Sequence, residues 1–402
     1  MSLVATYSIS FASMAKVVDI TGSGVHAAFT ILSVAVPGLL FGLLGGVTVD
    51  RVSRRTMLIV TNVLRGLVAA LAPLYFAAAP PGAVVPIILG VNFLLSAVGQ
   101  FNFPAEAALI PYLVTNQELL AANSVFNVSY LAAIGFGGGI WGPISVRFVG
   151  TRWAYLVGGL LFLATVIPLA LMPRDPAPRD RALRRSRYAR LRHAATVYAD
   201  ITEGMWFSLH NPAVSVAIVA LIGQTALALG MAAVFPVLLS TQFGIALYNL
   251  PVFLVPGGIG AGFGFLLLLS ALGNKLPRTT FVIAGNALIA AGLLGYTLSI
   301  ALPGWGVRGL MASTPVIGLG FVVSYISGKS ILQEQPPDYL RGRVISLQLT
   351  LNNAVSLVPT VLAGWALDVL GGLVVFVAST ILFGGLTILC GLWLARVPRS
   401  YA

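Results

Sequence analysis

Residues 26–79 read HAAFTILSVAVPGLLFGLLGGVTVDRVSRRTMLIVTNVLRGLVAALAPLYFAAA, and they decide the fold. Two apolar blocks, 26–48 and 57–79, flank a short hinge that carries Asp50, Arg51, Arg54 and Arg55. Each block is close to the roughly 20 residues that a helix needs to cross the hydrocarbon core of a bilayer. Inside that core every backbone N–H and C=O must bond within the protein, so blocks of this kind read as helices. Their glycines and proline are tolerated better in membrane helices than in soluble ones. The charged hinge belongs in water.

The same alternation runs along the chain. Further apolar blocks cover about 3–18, 84–105, 120–146, 153–172, 212–238, 249–272, 280–302, 308–330, 343–367 and 373–395. With the first two this predicts about twelve transmembrane helices and an all-α membrane protein. Composition agrees: of 402 residues, 58% are hydrophobic and 8% charged, and the mean hydropathy is +0.96. A soluble domain carries roughly a quarter charged residues because its surface faces water. The lone cysteine, Cys390, lies within an apolar block and implies neither a disulfide nor a metal centre. Met1 to Ser10 lack the basic start and small-residue cleavage site of a secretory leader. The first span is therefore expected to remain in the mature protein.

The net charge of +12 does not point to nucleic acid, because the basic residues form no stripe interleaved with aromatics. They mark orientation instead. With the N-terminus in the cytoplasm, the inner side holds Arg51, Arg54, Arg55, Lys275, Arg278, Lys329, Arg341, Arg343, eight residues between Arg174 and Arg192, Arg396 and Arg399. That makes eighteen, against Arg147, Arg152 and Arg308 outside. Lysine and arginine favour the cytoplasmic side of short loops, so both termini are expected in the cytoplasm of a multi-pass inner (plasma) membrane protein. The polar stretch 173–210 separates residues 1–172 from 211–402, six spans on each side. It opens with Pro173, Arg174, Asp175, Pro176 and Pro178, and reads as a solvated linker held near anionic headgroups.

The halves echo each other. Asp50, Arg51 and Arg54 align at one constant offset with Asn274, Lys275 and Arg278, and Gln117 to Leu120 lie loosely against Asp338 to Arg341. A parallel repeat of six spans about an axis along the membrane normal is a common build of secondary transporters. The segment GGVTVDRVSRR (Gly45 to Arg55) resembles the signature loop of the major facilitator superfamily, with Asp50, Arg51 and Arg55 in register and Ser53 in place of the usual glycine. PAEAALIPYLVTNQELLAANS (Pro104 to Ser124), EGMWFSLHNP (Glu203 to Pro212) and QEQPPDYLRGRVISL (Gln333 to Leu347) resemble its branch of macrolide-efflux and enterobactin-exporter-like proteins. Against those relatives the first helix looks shortened at its start.

The resemblance implies two six-helix bundles related by a pseudo-twofold, and an exporter of a small amphipathic molecule. It further implies alternating access, proton antiport, no cofactor and a monomeric protein. It places the gate at the signature loop, with Gly46, Asp50, Arg51, Arg54 and Arg55. Asp50 would meet the start of the eleventh span near Arg343, where a helix N-terminus favours an anion.

From the residues themselves, Arg65, about two turns into the third span, needs a partner, since a buried arginine is costly in a membrane. Glu106 or Asp50 can supply it, and the Arg65–Glu106 pair is the favoured reading. Uncharged candidates for a substrate cavity are Asn92, Gln100, Asn102, Asn127, Tyr130, Gln224, Tyr325, Gln348, Asn352 and Asn353. Each amide serves equally well as a helix–helix tie. Tyr130, Trp141, Phe321 and Tyr325 offer stacking surface to a bulky ligand. The run Gly135, Gly137, Gly138, Gly139, Gly142 and Pro143 partly resembles the fifth-span motif of antiporters.

No phosphate-binding glycine loop with lysine is present, so ATP is not the driver within this chain. No carboxylate sits at mid-span, and Asp19, near Lys16 at the outer end of the first span, is the coupling candidate. His26, His193 and His210 lie far apart with no ligand spacing, which argues against a metal site or an enzyme. Import on the same scaffold and a transport-inactive sensor remain open.

The orientation is checked directly. A cysteine introduced as Ser186→Cys in a Cys390→Ala background should react with a membrane-impermeant maleimide only in inside-out vesicles. Labelling in intact cells would contradict it.

Overall fold

The computed structural model describes residues 1–49, 52–115, 118–172, 203–270, 275–302 and 304–395, and these residues contain helices and turns with no strand. Asp50, Arg51, Gln117 and Asn274 lie outside them, as does most of the linker. The helices of the first half are α1 (Ser2–Thr21), α2 (Gly24–Val49), α3 (Arg54–Ala78), α4 (Val84–Gly99), α5 (Asn102–Leu113), α6 (Leu119–Phe136) and α7 (Gly142–Leu171). Those of the second are α8 (Pro212–Thr241), α9 (Pro251–Leu269), α10 (Arg278–Ala301), α11 (Gly306–Glu334), α12 (Asp338–Leu370) and α13 (Gly372–Ala395).

Among the described residues, eleven helical runs are long and apolar enough to cross a membrane. One of them, Val128–Leu171, has 44 residues, about 66 Å of helix and twice the thickness of a bilayer core. It is interrupted at Gly150, whose φ of 78° and ψ of 161° belong to no helix and are open chiefly to glycine. The run is therefore two crossings, which restores the twelve read from the sequence. Elsewhere the ends follow local chemistry. Gly22 closes α1 in the left-handed conformation, returning its N–H to the Val18 carbonyl at 2.8 Å. Ser53 caps α3, its Oγ accepting from the Thr56 N–H at 3.2 Å. α4 and α5 form the fourth span, broken briefly at Gln100 and Phe101.

The chain divides into two compact units, Met1–Ser186 with Leu239–Pro251, and Arg187–Leu238 with Val252–Ala402. The core of the first gathers Ala5, Ile9, Ala12, Ala69, Ala72, Leu95, Ala154, Tyr155 and Phe162. That of the second gathers Val214, Ala217, Leu221, Val282, Ile331, Leu332, Val344 and Cys390.

Lipid tails are as apolar as leucine, so helices associate here through close packing rather than through the hydrophobic effect. Small residues make that packing possible. In the second unit a Cβ on Gly285 of α10 would lie 2.6 Å from the Gly320 carbonyl oxygen of α11, and one on Gly320 2.5 Å from that of Gly285. A Cβ on Gly318 would lie 2.0 Å from the Gly257 oxygen of α9. Such contacts are backbone to backbone and cannot relax by a rotamer change. Gly318→Ala should therefore cost on the order of 2 kcal/mol, read as a lower thermal midpoint in nanodiscs. Gly385→Ala, where nothing lies within 4 Å, should leave the midpoint unchanged. Equal midpoints for the two variants would contradict the packing.

Candidate functional site

The polar side chains of the first unit converge on α1, α3, α4 and α7. Arg65 is 4% exposed, two to three turns into α3. Its guanidinium lies over the Phe162 ring, 4.1 Å from the centroid, and donates to Ser2 Oγ at 3.3 Å and to Thr6 Oγ1. The cation thus rests on a ring face and two hydroxyls of α1, which spread its charge. Glu106, on α5 within the fourth span, is near enough for the two charges to act on each other. Arg65 Nε and Asn92 Nδ2 have no acceptor among the described residues. Both residues line a cavity with Thr6, Ser10, Ser96 and Phe162 that leaves about 20 Å³ for the centre of a water molecule, room for one.

A second chain of bonds adjoins it. Ser13 Oγ reaches the Ile9 carbonyl at 2.7 Å, Asn92 Oδ1 at 2.8 Å and Tyr155 Oη at 2.5 Å. Asn92, 3% exposed, is thereby a tie between α1, α4 and α7. Asn102 does similar work, accepting from Thr61 Oγ1 of α3. Gln100 is half-buried; its Nε2 donates to the Ser96 carbonyl at 3.3 Å, and its Oε1 would lie 3.6 Å from a Cβ on Gly38 of α2. Tyr130 shares a hydrogen bond with Tyr7 of α1 and lies 6.4 Å from the Phe126 ring. The side chain of Asn127 lies outside the described residues.

The glycine run forms a π-helical turn, Gly137–Trp141, between α6 and α7. A Cβ on Gly137 would sit 2.8 Å from the Val4 carbonyl oxygen, and one on Gly142 2.8 Å from Phe11 Cβ. The wider turn thus presses directly onto α1. π-Turns inside helices are frequent at functional sites, and the sequence signalled this one only as a cluster of glycines.

At the opposite end of α3, Arg55 donates from Nε to the Leu169 carbonyl at 2.8 Å and from Nη2 to that of Ala170. These are orphan carbonyls of the last turn of α7, where a cation is favoured. Arg54 opens α3 beside it, and Gly46 falls within α2. Asp50 and Arg51, the centre of the signature loop, lie outside the described residues. Arg343 pairs with Glu203. The exposed Glu118 accepts from the Thr115 N–H at 3.0 Å and from its hydroxyl at 2.8 Å, and these bonds hold its carboxyl below the usual range. Asp19 is 74% exposed and faces Lys16 at 3.5 Å.

In the second unit Gln224, fully buried on α8, donates to Asn286 Oδ1 of α10 at 3.1 Å, which also accepts from Ser324 of α11 at 3.0 Å. Gln224 spends its amide inside the bundle. Lys329, counted above with the inner loops, instead sits within α11. It donates to Gln348 Oε1 of α12 at 2.8 Å and lies 5.8 Å from the Tyr325 centroid. Tyr325 and Phe321 stack at 5.9 Å, and Tyr325 remains 39% exposed. Asn352 is half-buried and Asn353 exposed on α12. No group of three or more potential metal ligands occurs among the described residues.

The geometry has counterparts among known proteins. The chain is 24% identical over 381 residues to the multidrug efflux pump Tap of Mycolicibacterium fortuitum, covering 90% of this chain and 85% of that one. Among solved structures, the nucleoside transporter NupG superposes with a TM-score of 0.71 at 12% identity, over 99% of this chain and 97% of that one. A bacterial homologue of the iron transporter ferroportin, in an inward-facing state, gives 0.71 at 14% identity, over 97% and 95%. The family model described as Major Facilitator Superfamily matches residues 1–359. The chain is thus a multi-pass membrane transporter, a member of the major facilitator superfamily.

Proposed function

We propose that the protein exports a small amphipathic molecule, of drug, macrolide or siderophore type, by alternating access coupled to proton antiport. The observation that carries the direction of transport is the likeness to a multidrug efflux pump along nine-tenths of the chain. The side chains support the substrate class. In the second unit the exposed Tyr325 with its stacked partner Phe321, and Asn352 and Asn353, combine ring surface with uncharged polar groups; in the first unit the half-buried Tyr130 and Gln100 do so separately. Side chains of this kind suit a bulky, weakly polar molecule without demanding one fixed geometry. Asn92 and Gln224, bonded between helices of their own units, are each assigned to holding one bundle together internally. For coupling, Glu106 takes precedence over Asp19. Glu106 lies within the fourth span near enough to act on the buried Arg65 cation, whereas Asp19, also within a span, is largely exposed at its end. Gating by Asp50 and Arg51 stays part of the proposal, on the strength of the signature loop alone.

Cells producing the protein should retain less of an amphipathic dye or macrolide than cells without it, and equal retention across a broad panel would overturn export. Tyr325→Ala should raise the substrate concentration at half-maximal efflux about fivefold. In Glu106→Gln the efflux should lose its dependence on an imposed pH gradient, while Asp19→Asn keeps it. A gradient dependence that survives in Glu106→Gln and disappears in Asp19→Asn would reverse the assignment of the coupling group.

A further inference from the structure

At the end of the first unit away from Arg55 lies a cavity of about 390 Å³, lined by Lys16 and Ile20 of α1, Phe76 of α3, Val84 of α4, and Thr151, Arg152 and Tyr155 of α7. That volume is in the range of small-molecule sites. Its floor is apolar and fixed: Phe76 and Tyr155 meet edge to face at 5.0 Å, and the Tyr155 hydroxyl is held by Ser13. Two cations stand at its wall. Arg152 is oriented by its Nε, which donates to the Pro73 carbonyl at 3.1 Å, and the rest of the guanidinium retains donors. Lys16 is 38% exposed and meets Asp19 across 3.5 Å, too long for a strong pair. Thr151 and Arg152 also begin the helical segment that follows the break at Gly150, so the first-turn N–H groups add positive potential. Counting Lys16, Arg152 and Asp19, the mouth carries a net charge of +1.

The surroundings specify the rest of the ligand. Ile20 of the lining is 42% exposed, Trp153, whose ring lies 5.6 Å from the Arg152 guanidinium, is 50% exposed, and Tyr75, next in the chain to Phe76, is 49% exposed. Tyrosine and tryptophan in such positions sit at the level of lipid headgroups. We propose that this pocket holds the headgroup of a singly charged anionic phospholipid. The phosphodiester lies between Lys16 and Arg152, the glycerol part over Phe76 and Tyr155, and the acyl chains run out past Ile20 and Trp153. One phosphodiester neutralises the net charge, and a zwitterionic lipid would bring its cation against the two already present.

Native mass spectrometry of the full chain, with phosphatidylglycerol or phosphatidylcholine added in detergent, tests this. The protein should keep one phosphatidylglycerol and little phosphatidylcholine. Lys16→Gln should weaken retention about fivefold, the effect of one lysine at an anionic surface. Asp19→Asn should strengthen it by a similar factor, which keeps the proposal decided should Lys16→Gln not fold. Val84→Trp, which fills the cavity without altering charge, should abolish it. Equal retention of both lipids, or indifference to Asp19→Asn and Val84→Trp, would overturn the site. Displacement of the lipid by millimolar glycerol 3-phosphate would reassign it to a soluble organic phosphate and overturn the lipid.

Discussion

A guanidinium held inside a helical bundle sets the terms for the first half of this transporter. In hydrocarbon, Arg65 cannot be left to water, and its hydrogen bonds go to Ser2 and Thr6 of α1 with Phe162 of α7 beneath it. That arrangement binds α3 to the two helices on either side of it. It also explains why so much of α1 is hydroxylated: Ser2, Thr6, Ser10 and Ser13 give the bundle interior a polar lining in which a charge can be tolerated. Glu106 completes the electrostatics from the fourth span. Glu106 is half-buried there, and the proposed proton coupling rests on its charge acting on that of Arg65.

The second unit solves the same problem with amides. Gln224, Asn286 and Ser324 connect α8, α10 and α11, and Lys329 reaches Gln348 across to α12. These ties are useful in lipid because packing alone gives helices little preference for one rotation over another. Glycines then let α9, α10 and α11 approach to backbone contact.

The fold was legible in the sequence because a membrane imposes lengths. Blocks of about twenty apolar residues between charged loops leave few readings, and the observed helices match them to within several residues. The fifth and sixth crossings are instructive. The sequence separates them, as 120–146 and 153–172, and the helix itself breaks between those blocks at Gly150, through a conformation that the letter G permits without announcing. The site was less legible. Arg65 stood out because a charge inside an apolar block is conspicuous, whereas the choice among its partners depended on rotations of α1 and α5 that no spacing reveals. Asn92, Gln100 and Gln224 looked alike as amides in spans. Only burial separates the helix ties Asn92 and Gln224 from Gln100, Asn352 and Asn353. The π-turn at Gly137–Trp141 left no mark beyond its glycines, and Lys329 passed for a loop residue because its helix runs on to Glu334.

The most direct measurement is flux in proteoliposomes built from the purified chain, with an amphipathic dye as cargo and a pH jump as the sole driving force. Dye should move opposite to the protons, at a rate that rises with the gradient and vanishes when a protonophore collapses it. Dye movement that ignores the gradient, or that matches protein-free vesicles, would contradict proton-coupled export.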